Sequence, residues 1–565
     1  MRTATAGSRA SSSAASPPDS FSIPEVTAVF HLYDTTLRDG SQQEGFTLSV
    51  EDKLQVAKLL DELGVTYIEG GWPGAVPKDT EFFARAKKEL SLKNARLAAF
   101  GATRKKGCAA SEDSQLRALL DSGAPTVTLV AKSDLRHVES ALRTSAEENL
   151  AMVRESIEFL RGYGREVFID AEHFFDGYAH DADYAVRVVA EAFRAGAAIV
   201  IVCDTNGGML PHQVSAVIAD VRARLEKEGL ESDRLGAHMH NDSGCAIANT
   251  IAAVEAGAVH VQGCVNGYGE RTGNADLIPV LANLQLKLGR KLVSPEQLGD
   301  ATRIAHAIAE IANIPSYARA PYVGASAFAH KAGLHASAIR VDPDLYQHMD
   351  PTVVGNDMRM IISDMAGKAS IELKGRELGY DLSGEDATLA RLAQTVKGRE
   401  AEGYSYEAAD ASFEMLVLHV LGDLPTYVEV ESWRTSSHQL RDGSLESEAT
   451  VRLSTAPGHR SVTIAEGNGP VNALDKALRE ALVDTYPEIA SFALVDFKVR
   501  ILDSQQGTDA TTRVLVTSQA PFGRFTTVGV GPNIIEASWE ALFDAYWYGL
   551  HKLRVAPARE RGGSL

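Results

Sequence analysis

His238 and His240 stand two residues apart in the segment His238-Met239-His240-Asn241-Asp242. On an extended strand that spacing sends both side chains to one face. Two imidazoles side by side at a strand end are the nitrogen half of a divalent-metal site. Asp39, in Asp34-Thr35-Thr36-Leu37-Arg38-Asp39-Gly40, can add a hard carboxylate. Asn274, closing Gly267-Tyr268-Gly269-Glu270-Arg271-Thr272-Gly273-Asn274, can add an amide oxygen. A mixed nitrogen and oxygen set leaves room for a bidentate substrate and suits Mn, Mg, Co or Zn without choosing among them. An isolated His-x-His is ordinarily a structural pair. Here the two motifs just named, and Asp204-Thr205-Asn206-Gly207-Gly208, also follow apolar runs, and this agreement favours ligands. The lone His31, His137 and His260 read as structural.

Elements must bring these segments together. Apolar runs at 29–33, 66–71, 96–101, 126–131, 166–171, 198–203, 234–239 and 260–265 read as strands. Ala198-Ile199-Val200-Ile201-Val202-Cys203 is continuous, as a strand buried on both faces requires. Between the runs, positions such as Val217, Val221 and Leu225 show helical spacing. Eight strand–helix units predict an α/β chain with a (β/α)8 TIM barrel over 28–290, with its chemistry at the strand ends. A doubly wound open sheet competes, but no GxGxxG follows the first strand. Strands one, seven and eight are neighbours in a closed barrel, so Asp39, His238, His240 and Asn274 can converge.

Residues 291–405 read as a mainly helical linker subdomain that leans over the barrel mouth. It holds Phe328-Ala329-His330-Lys331-Ala332-Gly333-Leu334-His335. Residues 406–555 alternate as strands do and hold a weak repeat. Gly467-Asn468-Gly469-Pro470 and Gly529-Val530-Gly531-Pro532 each precede a helical stretch. This predicts a duplicated α+β domain for regulation or dimerisation, with residues 556–565 as a tail.

Composition excludes several classes. The formal net charge of −19 argues against nucleic acid and anionic membrane as partners. No apolar run reaches the roughly 18 residues of a membrane span. Cys108, Cys203, Cys245 and Cys264 are scattered with no CxxC, which favours a cytoplasmic setting without disulfides. Residues 1–27, rich in Ser, Ala and Pro, read as a disordered tail, with an organellar transit segment as the alternative.

The three glycine- and histidine-bearing motifs together resemble the 2-isopropylmalate synthase, homocitrate synthase and citramalate synthase family over residues 29 to about 555. Glu69 to Asp79, Glu172 to Tyr178 and Tyr404 to Phe413 resemble the citramalate synthase branch. The resemblance implies a transferase that condenses acetyl-CoA with pyruvate and hydrolyses the thioester, giving (R)-citramalate and CoA on a route to isoleucine. 2-Isopropylmalate synthesis from 2-oxoisovalerate and homocitrate synthesis stay open. So does a different class, a catalytically dead amino-acid-binding regulator, against which the intact Arg38 and metal set speak.

By the same resemblance Arg38 stabilises negative charge on oxygen, and Thr205 contacts the keto-acid carboxylate. Thr205 otherwise reads as a turn or N-cap threonine. Glu172, His335 and Tyr346 form a base and proton-relay set, with His330 as a neighbouring rival to His335. Gly267 and Gly269 make a flexible turn where the backbone can approach CoA, and Arg104-Lys105-Lys106 can meet its phosphates or be a solvated face. The C-terminal domain is expected to bind an inhibitory amino acid, isoleucine for this branch, within a homodimer.

Overall fold

The computed structural model describes residues 30–456, 459–503, 507 and 509–558. The 1–27 tail and the end of the 556–565 tail lie outside the described residues. The chain forms two compact units that meet in sequence between Ser316 and Tyr317.

The first unit is the expected barrel. Its strands are β1 (His31–Asp34), β2 (Tyr67–Glu69), β3 (Arg96–Ala102), β4 (Thr126–Lys132), β5 (Glu166–Glu172), β6 (Ile199–Asp204), β7 (Leu235–Met239) and β8 (His260–Gly263). They run parallel in the order β1 to β8, and β1 pairs with β8 from His31↔His260 to Asp34↔Gly263 to close the ring. No open sheet edge remains. Every residue of β6 is buried, as its apolar run requires. Helices cross between the strands, several of them capped by side chains. Val50–Leu63 begins with a Ser49–Asp52 capping box and ends at Gly64 in the left-handed region.

The strand pleat sorts side chains by twos. Tyr33, Tyr67, Phe168 and His260 meet inside the barrel, with ring centroids 5.1–6.5 Å apart, and plug its floor. Two residues further along each strand, Glu69, Asp170 and Gln262 form a polar layer. Another step reaches the C-terminal mouth. An apolar floor thus excludes water from below, and polar groups accumulate only where strands end.

The second unit begins with a parallel pair, β9 (Ala329–His330) and β10 (Arg359–Met360), among short helices. The helices Lys368–Glu377, Asp386–Ala401 and Asp410–Leu421 follow. Two antiparallel sheets then repeat one plan: β11 (Glu429–Gln439), β12 (Leu445–Ala456) and β13 (His459–Gly467), then β14 (Ala493–Ile501), β15 (Thr512–Ala520) and β16 (Gly523–Gly531). Their helices begin at Pro470 and Ile534, 64 residues apart. β13 and β16 end at Gly467 and Gly531, again 64 apart. A register shift falls at Val430/Ser432 in one sheet and at Leu494/Asp496 in the other. The duplication is therefore real, but the two Gly-x-Gly-Pro segments are 62 apart and are not equivalent positions. Gly529 allows strand and helix to touch: a Cβ there would lie 2.0 Å from Ala537 O.

Equivalent threonines tie each sheet to its helix. Thr463 Oγ1 donates to Ala477 O at 2.7 Å, and Thr527 Oγ1 donates to Ala541 O at 2.6 Å. Thr527 is fully buried and Thr463 half-buried. Thr527→Val is expected to lower stability by about 1 kcal/mol, and Thr463→Val by less. Thermal unfolding of the two variants measures the difference, and equal losses would contradict burial as its origin.

Candidate active site

The mouth of the barrel is assembled by three loops that grip one another. After β1, Thr36 donates its backbone N–H and its hydroxyl to the buried Asp34 carboxylate, both at 2.9 Å. The same hydroxyl accepts the Val265 N–H at 3.0 Å, and Thr35 N–H donates to Gly263 O at 2.9 Å. These bonds lock the first loop onto the end of β8 and turn Arg38 and Asp39 into the mouth. Burial pushes the Asp34 pKa up to about 7 against those bonds.

His238 points inward from β7, and His240, one step past its end, faces the same way. His240 is bridged to Asn274 by Asn241 N–H on Gly273 O and Ala275 N–H on Met239 O, both at 2.9 Å. His240 and Asn274 are thus a non-hydrogen-bonded antiparallel pair, the arrangement that brings side chains closest. Glycines make this loop fit. Gly269 has φ 148°, and a Cβ there would lie 2.3 Å from Asn274 Nδ2. A Cβ on Gly273 would lie 1.9 Å from Gly267 O. Asn274 N–H donates to Gly267 O at 3.1 Å. The expected flexible turn is a packed cradle for Asn274. Arg271 closes the assembly by donating to Asp242 at 2.7 and 2.9 Å and to Thr205 O at 2.8 Å.

Three of the four expected ligands meet there, and the bridge to His240 sets Asn274 alongside. Asp39 Oδ2 lies 3.2 Å from His238 Nε2 and 3.9 Å from His240 Nε2, and the two Nε2 atoms are 3.2 Å apart. Among the described residues this is the one group of histidine, cysteine and acid side chains whose donor atoms fall within 4.8 Å of each other. Asn274 Nδ2 donates to Tyr268 O at 3.0 Å, which leaves its Oδ1 buried without a hydrogen-bond partner. A buried orphan acceptor costs about 1–3 kcal/mol. Two imidazoles, a carboxylate and an unpaired amide oxygen fit a divalent cation.

Electrostatics divide the donors. Burial would raise the Asp39 pKa, but Arg38, His238 and His240 hold it well below the usual carboxylate range. Burial would lower that of His238, but its hydrogen bond to Asp39 and the charges of Asp39 and Asp170 together raise it. Burial and then the neighbouring His238 push His240 down to about 3.

Arg38 lies with its guanidinium 3.7 Å over the Phe100 ring, with Nε on the buried Glu69 carboxylate and Nη1 3.7 Å from Asp39. Glu69 also accepts the Tyr33 hydroxyl at 2.6 Å. Thr205 Oγ1 accepts the His173 N–H at 2.8 Å, so its own proton is free to donate. Glu172, the last residue of β5, pairs with Lys132. Arg38, Glu172 and Thr205 line one cavity of about 390 Å³ with Asp39 and both histidines. His335 and Tyr346 belong to the second unit, where their rings stack at 4.1 Å with His330 edge-on to His335 at 6.2 Å.

Sequence reading did not assign Glu69, Lys132, Asp170, Gln262 or Arg271. The first four sit at inward positions of strands and were legible only by counting in twos from a known strand end. It also offered Arg104 to CoA. Arg104 is buried and paired with Glu148 and Glu155 at 2.8 and 2.7 Å, so it is a structural residue. Arg104, Lys105 and Lys106 all line a second cavity, of about 530 Å³, that shares Ala102, Val130 and Lys132 with the mouth.

Residues 29–308 match the HMGL-like family, 322–402 the homocitrate synthase post-HMGL domain-like family, and 407–550 the LeuA allosteric (dimerisation) domain. The (R)-citramalate synthase of Streptomyces coelicolor is 58% identical over 94% of this chain and 99% of its own length. The chain belongs to the (R)-citramalate synthase family. It is accordingly an acyl-transferring enzyme. The (R)-citramalate synthase of Aquifex aeolicus is 46% identical over 92% of this chain and 98% of its own. The 2-isopropylmalate synthase of Methanocaldococcus jannaschii is 31% identical over 93% and 94%. Among the described residues no helix is long and apolar enough to cross a membrane.

Because His240 is neutral well below pH 7 while His238 holds its proton higher, cation binding near pH 6 should release the His238 proton alone. Affinity should then rise with pH until His238 has lost that proton, and flatten beyond. Calorimetry of Mn(II) binding in buffers of different ionisation enthalpy counts the protons. Release of two would contradict this assignment.

Proposed function

We propose that the chain condenses acetyl-CoA with pyruvate and hydrolyses the thioester, giving (R)-citramalate and CoA on a route to isoleucine. The observation that carries this reading is the Asp39, His238, His240 and Asn274 cluster in a chain so similar to (R)-citramalate synthases. Those four residues would hold a divalent cation, which would supply a Lewis acid for the keto acid. Thr205 donates its free hydroxyl proton to the keto-acid carboxylate. Arg38, held rigid by Glu69 and Phe100, donates to the oxygen that gains charge as the carbon–carbon bond forms. For proton removal from the acetyl methyl, the resemblance offers the stacked His335 and Tyr346 as base and relay. Water then cleaves the thioester and CoA leaves as the thiol. Acetyl-CoA approaches along the Gly267–Gly269 turn and the cavity at Lys105 and Lys106.

Domain roles follow the same proposal: a catalytic barrel over 28–290, a linker over 291–405 and a regulatory, homodimer-forming domain over 406–555. Within the last, a cavity of about 590 Å³ opens beside the Pro470–Val483 helix. Phe492, Leu494 and Phe497 give it apolar walls, and Asp475 and Arg479 bring opposite charges. A small apolar zwitterion such as isoleucine fits that chemistry.

Pyruvate, 2-oxobutyrate, 2-oxoisovalerate and 2-oxoglutarate, each offered with acetyl-CoA, should release free thiol fastest with pyruvate. A preference for 2-oxoisovalerate would make leucine synthesis the correct reading. Ala493→Trp, at an exposed rim position of the regulatory cavity, should raise the isoleucine concentration for half-inhibition at least tenfold and leave kcat unchanged. Unaltered inhibition would place the effector elsewhere.

A further inference from the structure

The two imidazoles of the cluster do not have equal support. His240 Nδ1 is buried with no hydrogen-bond partner. His238 Nδ1 instead lies 2.8 Å from Gln262 Oε1, and Gln262 Nε2 donates to Asp170 Oδ1 at 2.9 Å. His238 and Gln262 are register partners on β7 and β8, so the contact is built into the barrel's pairing. All three side chains are at most 5% exposed.

The amide of Gln262 has two orientations, and its neighbours distinguish them. With Nε2 toward Asp170, Oε1 faces His238 and must receive a proton from Nδ1. His238 then carries its hydrogen on Nδ1 and presents the Nε2 lone pair to Asp39's side of the mouth. With the amide reversed, Oε1 would face the oxygens of Asp170, and the amide N–H would demand the lone pair of Nδ1. The proton would move to Nε2, where it blocks coordination. We infer that Asp170 and Gln262 form a positioning relay that holds His238 in the tautomer able to ligate a cation through Nε2. The inference rests on the metal reading above. Neither residue touches the reacting atoms. They act through the ring of His238, as outer partners of metal-bound histidines do.

The test begins with the wild-type chain and no metal. [15N]Histidine labelling at about pH 9, where imidazoles are neutral, reports which ring nitrogen of His238 is protonated, with His238→Gln to assign the signal. The relay predicts Nδ1–H, and a dominant Nε2–H form overturns it without any relay variant. Calorimetry with Mn(II) then compares wild type, Gln262→Leu and Asp170→Leu. Both variants should bind about 10- to 100-fold more weakly and show a mixture of His238 tautomers. A folded variant that keeps the Nδ1–H form and Mn(II) affinity within about twofold overturns the relay. Absence of Mn(II) binding by the wild type would instead sink the metal reading, and the tautomer measurement stands apart from it.

Discussion

A carboxylate and two imidazoles are pressed together where water is scarce, and the rest of the barrel is arranged to keep them so. Asp39 and His238 approach to 3.2 Å at the floor of the mouth, with His240 Nε2 as close again to His238. Asp39 and Asp170 raise the His238 pKa against burial, whereas burial and then His238 lower that of His240. Asn274 brings a further oxygen with nothing to accept. Such an arrangement opposes folding locally and persists only because surrounding contacts over-determine it. Those contacts are specific: Thr36 bound to both Asp34 and Val265, the glycines under Asn274, and Arg271 clasping the loops after β6 and β7.

Arg38 belongs to the same balance. Its charge offsets Asp39 and Glu69, which would otherwise be two buried acids near Asp170. Asp170 itself is pushed up to about 7, first by burial and then by Glu69. A guanidinium fits this position because it can lie flat on Phe100 and still donate from its edge. The mouth thus sets Arg38, Lys132 and Arg271 among Asp39, Asp170, Glu172 and Glu270.

Most of this was legible in the sequence. Parallel strands buried on both faces read as apolar runs, and motifs placed just after them mark the catalytic end. The residues that hold the ligands in place were not legible. Gln262 and Asp170 lie inside ordinary strand segments, and nothing in their neighbours distinguishes a relay from a filler until the barrel closes and sets β5 across from β8. Arg104 failed for the opposite reason. A basic run reads as surface, whereas burial beside Glu148 and Glu155 is decided by a helix some fifty residues later. The register of the C-terminal repeat was misplaced because Gly-x-Gly-Pro stands out to the eye, while the true 64-residue spacing is carried by a threonine bond and a register shift.

That repeat has diverged on one sheet face. Ile464 on β13 and Val528 on β16 are equivalent positions, both on the sheet face away from the helix of their own module. Val528 is 1% exposed because it joins the core formed with the Asp410–Leu421 helix, whose Ser412 hydroxyl accepts its N–H at 3.0 Å. Ile464 is 58% exposed, and Val462 beside it 49%. One copy of the module therefore uses its outer face to hold the linker helices, and the other leaves the same face apolar and open. Two identical modules would both have needed a linker, or neither. Divergence of a single face thus lets one copy of the design anchor within its own chain, while the other leaves that face exposed in it.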